Sequence, residues 1–196
     1  MLDAWVSVHR HRLLALLTEH AYADREVTLA SGQKSRFYID CKQVALRGEG
    51  HFLLGRLFLE AVQQIEASDG FRHDACGGMS IGADPLASAL SLTAFLGGRE
   101  LPAIYVRKEA KGHGTGAFLE GARAVATGGR VVLVEDVVTT GGSSLKAAAR
   151  LRDHGYVVTH VLAIVDRLAG GAEAFRAEGL ELLSLFTRAD FPGAGA

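Results

Sequence analysis

The segment Val131-Val132-Leu133-Val134-Glu135-Asp136-Val137-Val138-Thr139-Thr140-Gly141-Gly142-Ser143-Ser144 carries residue types that one piece of chemistry would need together. A buried apolar strand delivers two carboxylates at its C-terminal end, and a Thr/Gly/Ser loop then opens into a helix. Ligands of open α/β sheets sit at the carboxyl ends of strands. A helix start offers N–H groups and a favourable dipole to a phosphate. Gly141 and Gly142 let the backbone approach such an anion, and Thr139, Thr140, Ser143 and Ser144 add hydroxyls. Carboxylates repel phosphate, so Glu135 and Asp136 must serve otherwise, by accepting the hydroxyl protons of a ribose cis-diol or by receiving a hydrated Mg²⁺. A Ser/Thr helix cap alone would not call for this combination. No Gly-Lys-Ser/Thr closes the loop, so it is not a Walker loop.

Three other segments could act with it. Tyr105-Val106-Arg107-Lys108-Glu109-Ala110-Lys111-Gly112-His113-Gly114 is too polar for a core. It gathers Arg107, Lys108, Lys111 and His113 into an anion clamp, although a solvated basic loop would read the same way. Leu29 to Asp40 reads as a hairpin with Lys34 in its turn and Phe37 and Tyr38 behind it, an aromatic pair that core packing would also explain. Ala163-Ile164-Val165-Asp166-Arg167 ends a buried strand on an arginine, which requires a partner: Asp166 itself, or a ligand carboxylate.

Positioning these segments falls to an alternation of strands and helices. Helical spacing covers 4–22, with Trp5, Val8, Leu13, Leu16 and Leu17 apolar. Two short strands flank a polar turn within 27–42, and a helix over about 48–67 puts Phe52, Leu53, Leu57 and Val62 on one side. Strands follow near Ala75, at 103–106, 130–134, 157–165 and 180–186, with helices at 83–96 and 143–154 between them. That order predicts an α/β fold with a central, mostly parallel sheet and right-handed crossovers. We expect one domain over 1–196: a small N-terminal hood element to about 45, a core over 46–190 and a frayed tail at 191–196. A net charge of −1 gives no basic field for nucleic acid, and no apolar stretch approaches a membrane span or a signal peptide, so a cytoplasmic protein is expected. Cys41 and Cys76 have neither disulfide nor metal-ligand spacing and read as buried thiols.

Two acids followed by Thr-Thr-Gly-Gly-Ser resemble the signature of type I phosphoribosyltransferases, and Arg107-Lys108-Glu109-Ala110-Lys111-Gly112-His113-Gly114 resembles the catalytic loop of the orotate phosphoribosyltransferases. The resemblance spans roughly residues 27–167. It implies the type I phosphoribosyltransferase fold and transfer of a phosphoribosyl group from 5-phosphoribosyl 1-diphosphate to orotate. It assigns the donor to Arg107, Lys108, Lys111, His113, Glu135, Asp136, Val137, Val138, Thr139, Thr140, Gly141, Gly142 and Ser143. Catalysis falls to Lys108, Lys111 and His113, reaching across a homodimer with shared active sites, and orotate to Lys34, Tyr38, Thr139 and Arg167. Mg²⁺ is implied as cofactor, held mainly through the diphosphate, with Glu135 and Asp136 reaching it through water. The chain departs from many members at Gly78-Met79-Ser80-Ile81-Gly82-Ala83-Asp84-Pro85, where they carry a Lys. A phosphoribosyltransferase for a purine, or a non-catalytic sensor of the donor, are the competing readings.

Overall fold

The computed structural model describes residues 2–28, 34–109 and 118–192, without the side chains of 2–5, 25–28, 34 and 35. Helix α1 (Leu2–His20) buries Leu13, Leu16 and Leu17, but Val8 lies outside this stripe and is exposed. Strand β1 (Tyr22–Thr28) pairs antiparallel with β2 (Lys34–Ile39), Tyr22 opposite Ile39 and Thr28 opposite Lys34. The first strand therefore begins five residues before the expected 27. Its charged stretch Asp24-Arg25-Glu26 hides the strand pattern, while Asp24 pairs across the hairpin with Arg36 at 3.2 Å.

After the short α2 (Lys42–Ala45), α3 (Gly48–Asp69) buries Leu53, Leu57 and Val62 as expected. Phe52 does not join them. It is 55% exposed, and its ring lies 6.2 Å from that of His9. One residue is 100° of helix, enough to carry Phe52 past the edge of the buried stripe.

The central sheet has six strands in the order β5-β4-β3-β6-β7-β8. These are β3 (Ala75–Met79), β4 (Ala103–Val106), β5 (Leu119–Glu120), β6 (Val131–Val138), β7 (His160–Asp166) and β8 (Glu181–Thr187). All neighbours are parallel except β5, which runs antiparallel to β4. Helices α4 (Asp84–Leu96), α5 (Gly142–Asp153) and α6 (Gly171–Ala177) complete the layers. Alternation along β6 explains why its sequence is continuously apolar: Val132 and Val134 join the core of α1, α3 and α4, while Val131 and Leu133 join that of α5 and α6. Each such side chain contributes about 2 kcal/mol of burial. Strand β7 starts at His160 rather than 157, since Val157 forms only a bridge with Arg130 and stays partly exposed.

Two features set the site. The chain leaves β3 towards β4 on one side, while β6 lies on the other, so the order reverses at β3 and a crevice opens beyond the carboxyl ends of β3 and β6. The hairpin is fastened beside that crevice by an aromatic cluster. Phe37 packs 5.3 Å from Tyr22 and 5.6 Å from Phe191, and the Tyr22 hydroxyl donates to the Pro192 carbonyl at 2.5 Å. Phe191, expected at the start of the frayed tail, is therefore buried. Arg10 of α1 adds a hydrogen bond to the Leu185 carbonyl at 3.0 Å. Cys41 and Cys76 are both free and buried, and burial pushes the Cys76 thiol up to about 12.

Candidate active site

Strand β6 carries both acids inside its length, and each is held differently. Glu135 is 5% exposed, and its Oε2 accepts hydrogen bonds from the Ser143 and Ser144 hydroxyls at 2.6 and 2.7 Å. The serines of the loop thus turn inward onto the strand. Burial pushes the Glu135 carboxyl up to about 7, partly offset by the two serine bonds and reinforced by the charge of Asp136. The unfolded chain then binds fewer protons than the folded one between the ordinary carboxylate range and pH 7, so this group withdraws stability as pH rises through that window. Glu135→Gln keeps an oxygen for both serines and removes the charge. We expect its urea-unfolding free energy to fall less than the wild type's between pH 5 and pH 8, the difference approaching about 1–3 kcal/mol. Equal pH slopes for the two proteins would refute a buried, titrating Glu135.

Asp136 faces the crevice. Its Oδ1 accepts the Val137 N–H at 2.8 Å, and its Oδ2 lies 3.7 Å from Nζ of Lys42, which in turn sits 2.7 Å from Asp40. Burial would raise Asp40, but the hydrogen bonds from Lys42 and Gln43 prevail and hold it below its ordinary value. Gly82, in the loop after β3, lies against the Asp136 carboxylate: a Cβ there would stand 3.0 Å from Oδ1. The missing side chain is what lets the loop after β3 close onto Asp136 of β6.

Beyond Val138, Thr139 and Thr140 lead to Gly141, the N-cap of α5, at φ 79°. The Leu145 N–H makes the bond to the Gly141 carbonyl, so those of Gly142, Ser143 and Ser144 precede the helical ladder. Gly142 and Ser143 are exposed, as an anion site at a helix start requires.

Arg167 ties the ends of neighbouring elements together. Its N–H donates to the Val138 carbonyl at 2.9 Å and its Nη2 to the Phe37 carbonyl at 3.0 Å, so one residue joins β6, β7 and the hairpin. Asp166 accepts instead from the Leu168 N–H at 2.9 Å, capping the turn after the strand. Burial lowers the Arg167 pKa, and the charge of Arg188 adds to the effect. Of the expected aromatic pair, Phe37 is core and Tyr38 is half-buried in β2 opposite Ala23. The Lys34 backbone starts β2, and its side chain lies outside the described residues.

Arg107 and Lys108 follow β4. The Arg107 guanidinium pairs with Glu120 at 3.3 Å, and its N–H donates to the Phe118 carbonyl at 2.8 Å. Lys111 and His113 lie outside the described residues. Three residues at this site carry no signal in the sequence. Lys42 contacts Asp136, and Arg150 of α5 bonds the carbonyls of Arg107 and Lys108. Arg188 stands 5.8 Å from the Phe37 ring centroid, with Nε buried and without a hydrogen-bond partner among the described residues. Each works through a tertiary contact between distant segments, which no local spacing encodes.

No family model matches the chain. A protein of Sorangium cellulosum named orotate phosphoribosyltransferase is 52% identical over 182 residues, which are 93% of this chain and 92% of that protein. One of the same name from Thermosynechococcus vestitus is 51% identical over 92% of each chain. The chain belongs to the orotate phosphoribosyltransferase family. It is accordingly a transferase of the glycosyltransferase type. The structure of the Mycobacterium tuberculosis orotate phosphoribosyltransferase in complex with Fe(III) dicitrate matches at a TM-score of 0.77 and 36% identity, covering 96% of this chain and 99% of that one. The same enzyme in complex with 5-phospho-α-D-ribosyl 1-diphosphate matches at 0.72 and 35%, covering 93% and 98%. The six-stranded, mostly parallel sheet with its N-terminal hairpin is thus the type I phosphoribosyltransferase fold.

Proposed function

We propose that this member of the family transfers the phosphoribosyl group of 5-phospho-α-D-ribose 1-diphosphate to N1 of orotate, giving orotidine 5′-monophosphate and diphosphate in pyrimidine biosynthesis. The observation that carries the reading is Arg167, an arginine fork tied at once to the end of β6 and to the hairpin. A planar guanidinium there suits the carboxylate that distinguishes orotate from other bases. Lys34, Tyr38 and Thr139 complete the acceptor side. The 5′-phosphate is assigned to the 139–143 loop at the head of α5, and the ribose hydroxyls to Glu135 and Asp136.

In the reaction the C1–oxygen bond breaks with its electron pair leaving on diphosphate, the C1–N1 bond forms, and N1 loses its proton. Charge develops on the leaving group, so Arg107, Lys108, Lys111 and His113 serve as its ligands, and excluding water protects the ribosyl cation. Among the described residues no group of three His, Cys, Asp or Glu side chains could hold a metal ion. A Mg²⁺ would be held chiefly through the diphosphate, and Asp136 and Glu135 are the protein groups that would reach it through water. When bound, it would neutralise diphosphate charge.

Lys108, Lys111 and His113 are assigned to the neighbouring subunit's site in a homodimer. Among the described residues no helix is long and apolar enough to cross a membrane, and we place the enzyme in the cytoplasm. The deciding experiment follows orotate absorbance with donor and Mg²⁺, alongside uracil, adenine, hypoxanthine and guanine. Consumption of orotate alone is expected. Turnover of a purine in its place would overturn the assignment, and absence of any transfer would favour a donor sensor.

A further inference from the structure

We propose that Arg150 is a positioning residue of this reaction, fixing from α5 the backbone on which Arg107 and Lys108 stand. This rests on the reading of those two residues as diphosphate ligands. The Arg150 guanidinium donates through Nη1 to the Arg107 carbonyl and through Nη2 to the Lys108 carbonyl at 3.0 Å. Its carbon lies 4.2 Å from the centroid of Phe118, where the chain returns towards β5, and Nη1 is 3.9 Å from Sδ of Met79 at the end of β3. One side chain therefore touches the outgoing stem, the returning stem and the end of the strand that leads to the 80–83 loop.

Arginines near a helix C-terminus commonly bond the carbonyls of their own helix. Arg150 does not follow that habit: among the described residues its guanidinium bonds the Arg107 and Lys108 carbonyls and Met79 Sδ, all outside α5. It lies eight residues beyond Gly142, about 12 Å along α5 from the phosphate end. The helix that opens at the donor loop is thus a rigid strut between that loop and the cationic stem. The stem is closed on its other side by the Arg107 N–H to Phe118 carbonyl bond and by the Arg107–Glu120 pair. Charge-assisted bonds to two consecutive carbonyls fix the direction in which the two side chains leave the backbone. A planar fork stacked on Phe118 does this, and a lysine cannot reproduce it. A displacement of about 1 Å in a group that must meet the reacting atoms costs up to about a hundredfold in rate.

Arg150→Met and Arg150→Lys test the proposal. With both substrates varied, kcat is expected to fall about tenfold in each, with the KM for orotate within about twofold of wild type. Inorganic diphosphate should bind more weakly to both. An unchanged kcat and diphosphate affinity in both variants would overturn the proposal. So would a drop in kcat that merely tracks the folded fraction read by circular dichroism. Amide hydrogen exchange supplies a readout free of the reaction: peptides containing Arg107 to Glu109 and Phe118 to Glu120 should exchange faster in Arg150→Met, and unchanged exchange refutes the anchoring. Failure of the wild type to consume orotate would instead refute the function, leaving the exchange result to decide the anchor.

Discussion

Arg167→Ala is expected to raise the KM for orotate about a hundredfold while moving the KM for the phosphoribosyl donor by less than about threefold, as steady-state kinetics with each substrate varied will show. Hydrogen bonds to a charged group contribute about 1.5–3 kcal/mol, and a bidentate guanidinium–carboxylate contact lies at the upper end. The surroundings favour an anion. Arg188 faces the same aromatic ring from 5.8 Å and Arg167 from 5.4 Å, both residues are half-buried, and burial lowers the Arg167 pKa. Arg167→Lys should recover little, since an ammonium cannot bond the Phe37 carbonyl and a carboxylate with the same planar geometry. An orotate KM unchanged in Arg167→Ala would move the carboxylate contact elsewhere.

Gly141→Ala is expected to destabilise the fold by about 2–5 kcal/mol and to weaken donor binding with it. Gly141 holds φ at 79°, where an L side chain costs about 1–2 kcal/mol. A Cβ there would stand 2.5 Å from Cε1 of Phe175, which is fully buried in α6, and such overpacking costs about 1–3 kcal/mol more. Urea unfolding gives the stability, and the KM for the donor reports the loop. Phe175→Leu in the Gly141→Ala background should return the packing part and leave the backbone part. A loss below about 1 kcal/mol in the single variant would mean that the α5 start has slack the geometry denies.

Both predictions fall on segments the sequence makes legible. The apolar run into Glu135-Asp136 and the Thr-Gly-Ser loop declare a strand, a turn and a helix start, because local pattern and local chemistry coincide there. Helix α6 escapes the same reading, being seven residues long and opened by glycines, and β5 escapes it at two residues. The serine hydroxyls are the subtler case. Their residue types suggest donors to an anion in the loop, yet Ser143 and Ser144 face a carboxylate eight and nine residues earlier in sequence, which offers a nearer acceptor. The Arg150 contact spans 43 residues to Arg107, and such pairings are set by how strands order in a sheet.

The aromatic fastening of the hairpin bears on how the chain acquires its site during synthesis. Tyr22 and Phe37 close on Phe191 and Pro192, and Arg10 on Leu185, so the first elements made are completed by segments made some 170 residues later. Closing so wide a loop is entropically slow, and the ribosome lengthens the wait. The donor loop needs only β6, α5 and their neighbours, all present earlier. The half of the site proposed to receive phosphate should therefore mature before the half proposed to receive the base. A chain ending at residue 180 and released from the ribosome should already hold the donor and still be unable to choose an acceptor.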